Sequence, residues 1–468
     1  MRPLEILILL TLFLRWVGCS FPAIKMARWI DLLPSLAVLL TVIHLVLEKY
    51  RWQMVPAYGL TLLLFLLSLP RIKQGERPAD KQPSHRALVI VEFLLRLLVF
   101  AFVAALPALL PVFRLPEPTG PHLVGTAKLY LVDRARPETF TPNPDDHREL
   151  VIQVWYPAQV EPDAKPAIYL EDMNFLYSHM SLVRTHSYLD APVSNAQSSY
   201  PVLIFSPGHI GMVEQNLTQM EELASQGYIV CGIAHTYHAI VTAFPDGRVV
   251  PVDSTTANYY MQGSFLPRRV YAENLRIWTD DTLFLINELE SIQAGERESM
   301  FVGKLDLARL GMFGVSFGGT TAVQVCSIDD RCQAGVVLDG GMPTDYVSPP
   351  IDSPLKQPFM FMSNEDEANR MRRALGTVEN TAYSATVRGA KHFDFAADVA
   401  LYSPVLKFIK AFGPIDKPFG SIDGYRMIKI INDYTLAFFD KHLKGEISPL
   451  LDGPSPDYPD VEFQLHIP

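Results

Sequence analysis

Apolar residues follow two regimes along this 468-residue chain. Before residue 114 they form long runs, Ile30 to Leu47, Gln53 to Pro70 and Ala87 to Phe113. Each is near or above the roughly 18 residues a helix needs to cross a bilayer. A shorter run, Ile6 to Leu14, ends at Arg15 and reads either as a tilted first span or as a signal-like apolar stretch. Because three long runs follow it, a signal peptide alone does not account for this region. The pattern predicts a bundle of three to four transmembrane helices over 1–113. A stiff proline-rich linker follows at 114–121, from Arg114 to Pro121.

From residue 122 the apolar runs become short and alternate with amphipathic stretches. Strands are expected near Leu150 to Tyr156, Val202 to Phe205, Tyr228 to Ile233, Leu310 to Phe313, Ala334 to Leu338, Pro358 to Met362 and Ala382 to Val387. Helices are expected around Gln219 to Gln226, from Val270 to Ile292, and from Thr320 onward. Such alternation predicts an α/β domain over 122–468, with a mainly parallel sheet and helices on both faces. Two insertions carry aromatic residues after sheet strands. Residues 158–199 hold Tyr169, Phe175, Leu176, Tyr177 and Tyr188; residues 239–267 hold a Pro245-Asp246-Gly247 hairpin turn, then Tyr259, Tyr260 and Phe265. Loops in these places build the pocket mouth of α/β folds. They read either as a cap with an apolar rim or as ordinary loop packing.

Charge sharpens the division. Residues 1–119 hold 13 Lys and Arg against 7 Asp and Glu, net +6, whereas the remainder holds 27 against 43, net −16. The loop from Arg71 to Arg86 is dense in Arg and Lys, and the loop at Lys49 and Arg51 is sparse. The positive-inside rule keeps the dense loop cytoplasmic, so the last span delivers the acidic domain to the extracytoplasmic side of a cell membrane. Within that span Glu92 and Arg96 lie four apart on one helix face, which reads as mutual neutralisation in a bundle interior or, as the alternative, as a functional site. The acidic domain offers no basic stripe for nucleic acid and no glycine-rich phosphate loop.

Candidate chemistry centres on Gly314-Val315-Ser316-Phe317-Gly318-Gly319, directly after an apolar strand and directly before a helix. A G-x-S-x-G in that context is a nucleophile elbow, with Ser316 pushed clear of both elements by a sharp turn. Serine needs a base and an orienting acid, which in the α/β-hydrolase fold follow it in the order acid, then histidine. Asp339 ends the apolar run Ala334 to Leu338, and His392 lies in a loop after the strand Ala382 to Val387. The alternative acids lie in Asn364-Glu365-Asp366-Glu367, one strand later. The oxyanion donors are expected to be the amides of Phe317 and, in the turn Ser206-Pro207-Gly208-His209, of His209. Triad chemistry requires neither metal nor cofactor. His235 and His238, in His235-Thr236-Tyr237-His238, lack a third ligand at recognisable spacing and read as structural. Cys326 and Cys332 bracket five residues; outside the cytoplasm they are candidates for a small disulfide loop, which the sequence leaves open.

Several motifs in order give the chain a family resemblance. Arg148 to Pro157, Phe205-Ser206-Pro207-Gly208, Gly314 to Gly319, Leu338-Asp339-Gly340 and Ala437 to Gly445 resemble the plasma-type (isoform II) platelet-activating factor acetylhydrolases and their bacterial relatives. The resemblance spans roughly residues 122 to 460 and favours Asp339 over Asp366, because in that family the acid comes from the strand just after the nucleophile's helix. Val315 and Pro207 depart from the histidines many relatives carry there, and both bear on acyl-pocket shape. The resemblance implies a serine esterase acting on short or oxidised acyl esters, such as the sn-2 ester of a phospholipid, and the expected membrane anchor would give it access to lipids of the bilayer. The same scaffold also serves polyester, dienelactone or xenobiotic ester hydrolysis, and acyl transfer. An inactive binding module is the reading from another class; retention of serine, acid, base and oxyanion turn together argues against it.

Overall fold

The computed structural model describes residues 1–20, 28–74, 86–171, 179–264, 266–342, 354–408 and 417–468. Phe175, Leu176, Tyr177 and Phe265 of the expected pocket mouth, and 75–85 of the basic loop, lie outside them. The chain divides into two compact units: Met1–Arg114 with Asn174–Val183, and Leu115–Met173 with Arg184–Pro468.

The first unit contains helices α1 (Pro3–Trp16), α2 (Leu33–Leu47), α3 (Val55–Gln74) and α4 (Arg86–Leu109). Ile8, Leu12, Ala37, Met54, Ala57, Leu64 and Val103 form its core. Leu39, Leu62, Leu66, Leu94, Leu98 and Phe102 point outward. Helices that are apolar on their outer faces as well need an apolar surrounding. Four segments, Pro3–Ser20, Trp29–Leu47, Trp52–Pro70 and Ala87–Leu109, are long and apolar enough to cross a membrane. The first run is therefore part of a helix of span length. Arg51, fully buried, donates to Glu5 at 2.9 Å and to the Leu110 carbonyl at 2.6 Å, which satisfies its charge inside the unit. Glu92 and Arg96 do pair, but Glu92 stays exposed while Arg96 leans over the Trp16 ring. Their pairing is thus at the α1–α4 contact and not in the bundle interior, because Trp16 supplies the face on which the guanidinium rests.

The second unit is built on an eleven-stranded sheet. In chain order its strands are β1 (Leu123–Pro137), β2 (His147–Ala158), β3 (Pro166–Ile168), β4 (Arg184–Leu189), β5 (Tyr200–Ser206), β6 (Ile229–Ala234), β9 (Leu305–Val315), β10 (Cys332–Leu338), β11 (Phe359–Asn364), β12 (Ala382–Val387) and β13 (Val461–His466). Their spatial order is β13-β12-β11-β10-β9-β5-β6-β2-β1-β4-β3. The six strands from β12 to β6 run parallel, and the sheet turns antiparallel on either side of them, at β13 and at β2. β5, β11 and β12 are buried along their whole length; the apolar runs Val202 to Phe205 and Phe359 to Met362 express this in β5 and β11, whereas β12 carries Ser384 and Thr386 buried among apolar neighbours. Between β6 and β9 lie a two-stranded hairpin, β7 (Val241–Ala243) with β8 (Val249–Pro251), and two helices, α6 (Ser254–Met261) and α7 (Arg268–Gln293).

Helices α5 (Leu217–Ser225), α8 (Phe317–Ile328), α9 (Ala368–Leu375) and α10 (Gly424–Phe439) complete the unit. The expected linker is tied down from Leu115 onward. Leu115 is buried, Thr119 bonds Glu222 through both its amide and hydroxyl, and the Gly120 amide donates to Ser225 at 3.0 Å. Prolines made this stretch look like a spacer; the α5 side chains it meets were not visible from composition. Cys326 and Cys332 form a disulfide that joins the end of α8 to the start of β10.

Candidate active site

The parallel centre of the sheet delivers three side chains to one edge. β9 ends at Val315, and Ser316 takes a left-handed backbone, φ 57° and ψ −118°, before α8 begins at Phe317. That conformation is strained for a side-chain-bearing residue and is held by its surroundings. The Ser316 amide donates to the Leu338 carbonyl at 2.8 Å. Gly318 is required for close approach: a Cβ there would sit 2.0 Å from the Ser206 carbonyl oxygen. β10 ends at Leu338, and Asp339, also at positive φ (49°), turns its carboxylate into the edge. His392 opens a short 3-10 turn after β12 and is part-buried.

These three meet. His392 Nε2 lies 2.9 Å from Ser316 Oγ, and His392 Nδ1 lies 2.6 Å from Asp339 Oδ2. With Nδ1–H donating to the carboxylate, Nε2 is left to accept the serine proton. Asp339 is nearly fully buried, so its charge needs donors. Asn364 supplies them: its amide N–H reaches Oδ1 at 2.9 Å, and its side-chain Nδ2 reaches Oδ2 at 2.8 Å. The segment read as an alternative acid source therefore places no carboxylate on His392. It contributes the residue that orients Asp339, while its Asp366 pairs with Lys391. The parallel register of Leu338 with Met362 sets Asp339 beside Asn364, and no local sequence signal reveals it. The histidine loop is pinned by Asp394, whose Oδ2 accepts from the amides of Lys391 at 2.8 Å and Gly420 at 2.7 Å.

The turn expected to supply an oxyanion donor lies against the elbow. A Cβ on Gly208 would stand 3.7 Å from that of Ser316, so the 207–209 turn passes directly over the serine. The Phe317 amide is at the N-terminus of α8, where unsatisfied N–H groups and the helix dipole favour negative charge. The His209 ring packs between aromatic side chains, 5.7 Å from Tyr260 and 5.8 Å from Trp278, with its edge toward Phe317. Asn274 Nδ2 donates to His209 Nε2 at 3.1 Å. Burial pushes this imidazole down to about 3, so it is neutral at working pH. Tyr260 brings the second insertion, through α6, to the site.

His235 and His238 hold no metal geometry. His235 uses both ring nitrogens, on Asp281 and Ser206, and His238 Nδ1 accepts the Trp278 indole N–H at 2.7 Å. In the helical unit Glu5, His44 and Glu48 approach one another, yet Arg2 and Arg51 already hold Glu5, and a dication beside two guanidinium groups is disfavoured.

Comparison with known proteins bears on fold and family. A solved ferulic acid esterase from Streptomyces cinnamoneus superposes with a TM-score of 0.61 at 25% identity, covering 75% of this chain and 99% of that one. A probable 1-alkyl-2-acetylglycerophosphocholine esterase of Arthroderma benhamiae is 24% identical over 384 residues, 75% of this chain and 94% of its own length. The platelet-activating factor acetylhydrolase of Cavia porcellus is 23% identical over 363 residues, 70% of this chain and 78% of its own. The fold is that of the α/β-hydrolases, and the similar proteins are ester hydrolases. The family model for platelet-activating factor acetylhydrolase, isoform II, matches residues 110–448, and the chain belongs to that family.

Proposed function

We propose that this protein is a membrane-anchored serine esterase that cleaves short-chain or oxidised acyl esters, including the sn-2 ester of phospholipids, by way of an acyl-enzyme. The observation that carries the reading is the continuous hydrogen-bonded chain from Ser316 through His392 to Asp339, at 2.9 and 2.6 Å.

In the first step Ser316 Oγ attacks the ester carbonyl carbon while His392 Nε2 takes its proton. Asp339 fixes the Nδ1–H tautomer and stabilises the imidazolium that forms. The carbonyl oxygen, now an oxyanion, lies toward the amides of Phe317 and His209; one such donor is worth on the order of 10²–10³ in turnover. The imidazolium returns its proton to the leaving alcohol as the C–O bond breaks. Water, deprotonated by the same nitrogen, then attacks the acyl-enzyme and frees the acid and Ser316.

An aromatic cluster of His209, Tyr260, Trp278 and Phe317, packed on the two residues expected to donate to the oxyanion, supports a short acyl group. The names of the relatives point the same way. The four apolar helices support a membrane anchor, and the Lys and Arg bias supports an extracytoplasmic catalytic unit. The test uses full-length protein in detergent with p-nitrophenyl acetate, butyrate and octanoate and with a short sn-2 phosphatidylcholine. Turnover should fall from acetate to octanoate, and Asp339→Asn should lower kcat by about 10⁴. Undiminished turnover in Ser316→Ala would refute the reading, and product diverted to an added alcohol at the expense of water would make the enzyme a transferase.

A further inference from the structure

A second Ser–His–Asp array lies behind the oxyanion turn. Ser206 Oγ is 3.1 Å from His235 Nε2, and His235 Nδ1 is 2.9 Å from Asp281 Oδ2. Its connectivity copies that of Ser316, His392 and Asp339, but its setting does not. All three side chains are fully buried, which denies them substrate. Asp281 is also held by Arg148, at 3.0 Å from Nε and 2.7 Å from Nη2, and by Arg136 at 2.9 Å. A carboxylate already neutralised by two guanidinium groups gives little support to an imidazolium. Burial lowers the basicity of His235, in keeping with a neutral ring whose Nδ1–H donates to Asp281 and whose Nε2 accepts from the Ser206 hydroxyl.

The array's neighbours indicate its use. Ser206 is the last residue of β5, and its carbonyl oxygen is the atom that Gly318 and Gly314 must avoid, 2.0 and 2.6 Å from a Cβ on either. The turn through Pro207 and Gly208 to His209 starts from it. His235 stacks on Trp278 at 3.9 Å and 11°. The same indole stacks on His209, meets Phe317 edge-on at 4.7 Å and donates to His238. One helix, α7, thus carries Asn274 and Trp278 against the residues whose amides are the oxyanion donors, and Asp281 against the histidine that holds the start of their turn.

We propose that Ser206, His235 and Trp278 are positioning residues that hold the His209 amide and the Ser316 elbow in register for the oxyanion. The inference rests on the serine-esterase reading and adds to it residues that never touch substrate. Ser206→Ala removes only the hydroxyl; Trp278→Phe keeps a ring and removes the indole N–H. In the full-length enzyme each should lower kcat for p-nitrophenyl acetate about 10- to 100-fold, less than complete loss of an oxyanion donor. KM should stay within about twofold. Affinity for an acetyl-mimicking trifluoromethyl ketone, whose adduct with Ser316 bears the oxyanion, should fall by the same factor as kcat/KM.

A structural role alone would lower the thermal midpoint and leave kcat and the ketone affinity of the folded enzyme unchanged; that result overturns the proposal. So does a Ser206→Ala enzyme as active as wild type. If Ser206→Ala does not fold, Trp278→Phe decides by the same two readouts. Failure of the underlying reading is distinguishable, since wild type would then not bind the ketone through Ser316.

Discussion

Replacing Asn364 by leucine isolates the residue that holds the candidate acid. Leucine keeps the branched outline of asparagine, with two methyl groups in place of the amide oxygen and nitrogen, and keeps the backbone N–H that reaches Asp339 Oδ1 at 2.9 Å. It removes the side-chain amide, whose Nδ2 lies 3.0 Å from Oδ1 and 2.8 Å from Oδ2, and with it the Asn364 Oδ1 that accepts from the amides of Asp366 at 2.7 Å and Glu367 at 3.2 Å. A hydrogen bond to a charged, buried group is worth about 1.5–3 kcal/mol. At 1.36 kcal/mol per factor of ten, that is roughly 10- to 150-fold in rate if the whole amount is felt in the transition state. The ceiling is the loss of Asp339 itself, about 10⁴. Asn364 reaches the reaction through Asp339, and the loss of its contacts to the Asp366 and Glu367 amides is read separately as a lower thermal midpoint, so kcat should fall while KM holds. In an Asp339→Asn background the same substitution should cost less than about threefold. The assay is p-nitrophenyl acetate turnover by full-length enzyme, normalised to the fraction titrated by a fluorophosphonate. A folded Asn364→Leu enzyme within threefold of wild type, or costs that simply add in the double variant, would refute the assignment of Asp339 as the acid held by Asn364.

Further outcomes are expected. Gly318→Ala places a Cβ 2.0 Å from the Ser206 oxygen and 2.4 Å from the Pro207 oxygen, both backbone atoms, and should cost at least about 10² in kcat/KM; activity near wild type would contradict the close packing of elbow and oxyanion turn. Serine at both Cys326 and Cys332 should lower stability by about 2 kcal/mol, the closure entropy of so short a loop, with kcat/KM unchanged; denaturant titration measures it. His235 and His238 are fully buried, and burial lowers both below the ordinary 6.5. The unfolded chain therefore takes up protons below pH 6.5 that the native state refuses. Stability falls as pH drops from 6.5 toward the folded values, by about 1.4 kcal/mol per pH unit for each histidine. Asp398 acts in the opposite sense: burial pushes it up to about 7, so the native state keeps a proton that the unfolded chain has lost above 3.8, and its contribution declines between those values as pH rises. Unfolding curves at pH 4.5 and 6.5 should show the histidine slope shrinking by one proton in His238→Gln, and an unaltered slope would refute it.

What the sequence disclosed was what is written locally. The elbow is six consecutive residues between a strand and a helix, and Asp339 ends an apolar run, so chain order alone put serine, acid and histidine in sequence. Long apolar runs marked the helices, since span length is a one-dimensional property. What stayed hidden depends on pairing across the sheet. Asn364 became the support of Asp339 only when β10 and β11 were set in parallel register, and the acidic residues around it drew attention to charge instead. Ser206, His235 and Asp281 are separated by 29 and 46 residues, with nothing in their immediate neighbours to join them. The stretch after Arg114 looked like a spacer because proline content signals stiffness and says nothing of the Glu222 and Ser225 side chains that receive it.

If Ser316 is the nucleophile, its hydroxyl can be captured covalently. Full-length protein in detergent would be treated with a fluorophosphonate, digested and read by mass spectrometry. One stoichiometric adduct is expected on the peptide containing Ser316, formed at a rate that falls steeply in Asp339→Asn, with none in Ser316→Ala. An adduct on any other serine, Ser206 included, or a folded and unlabelled wild type, would contradict it.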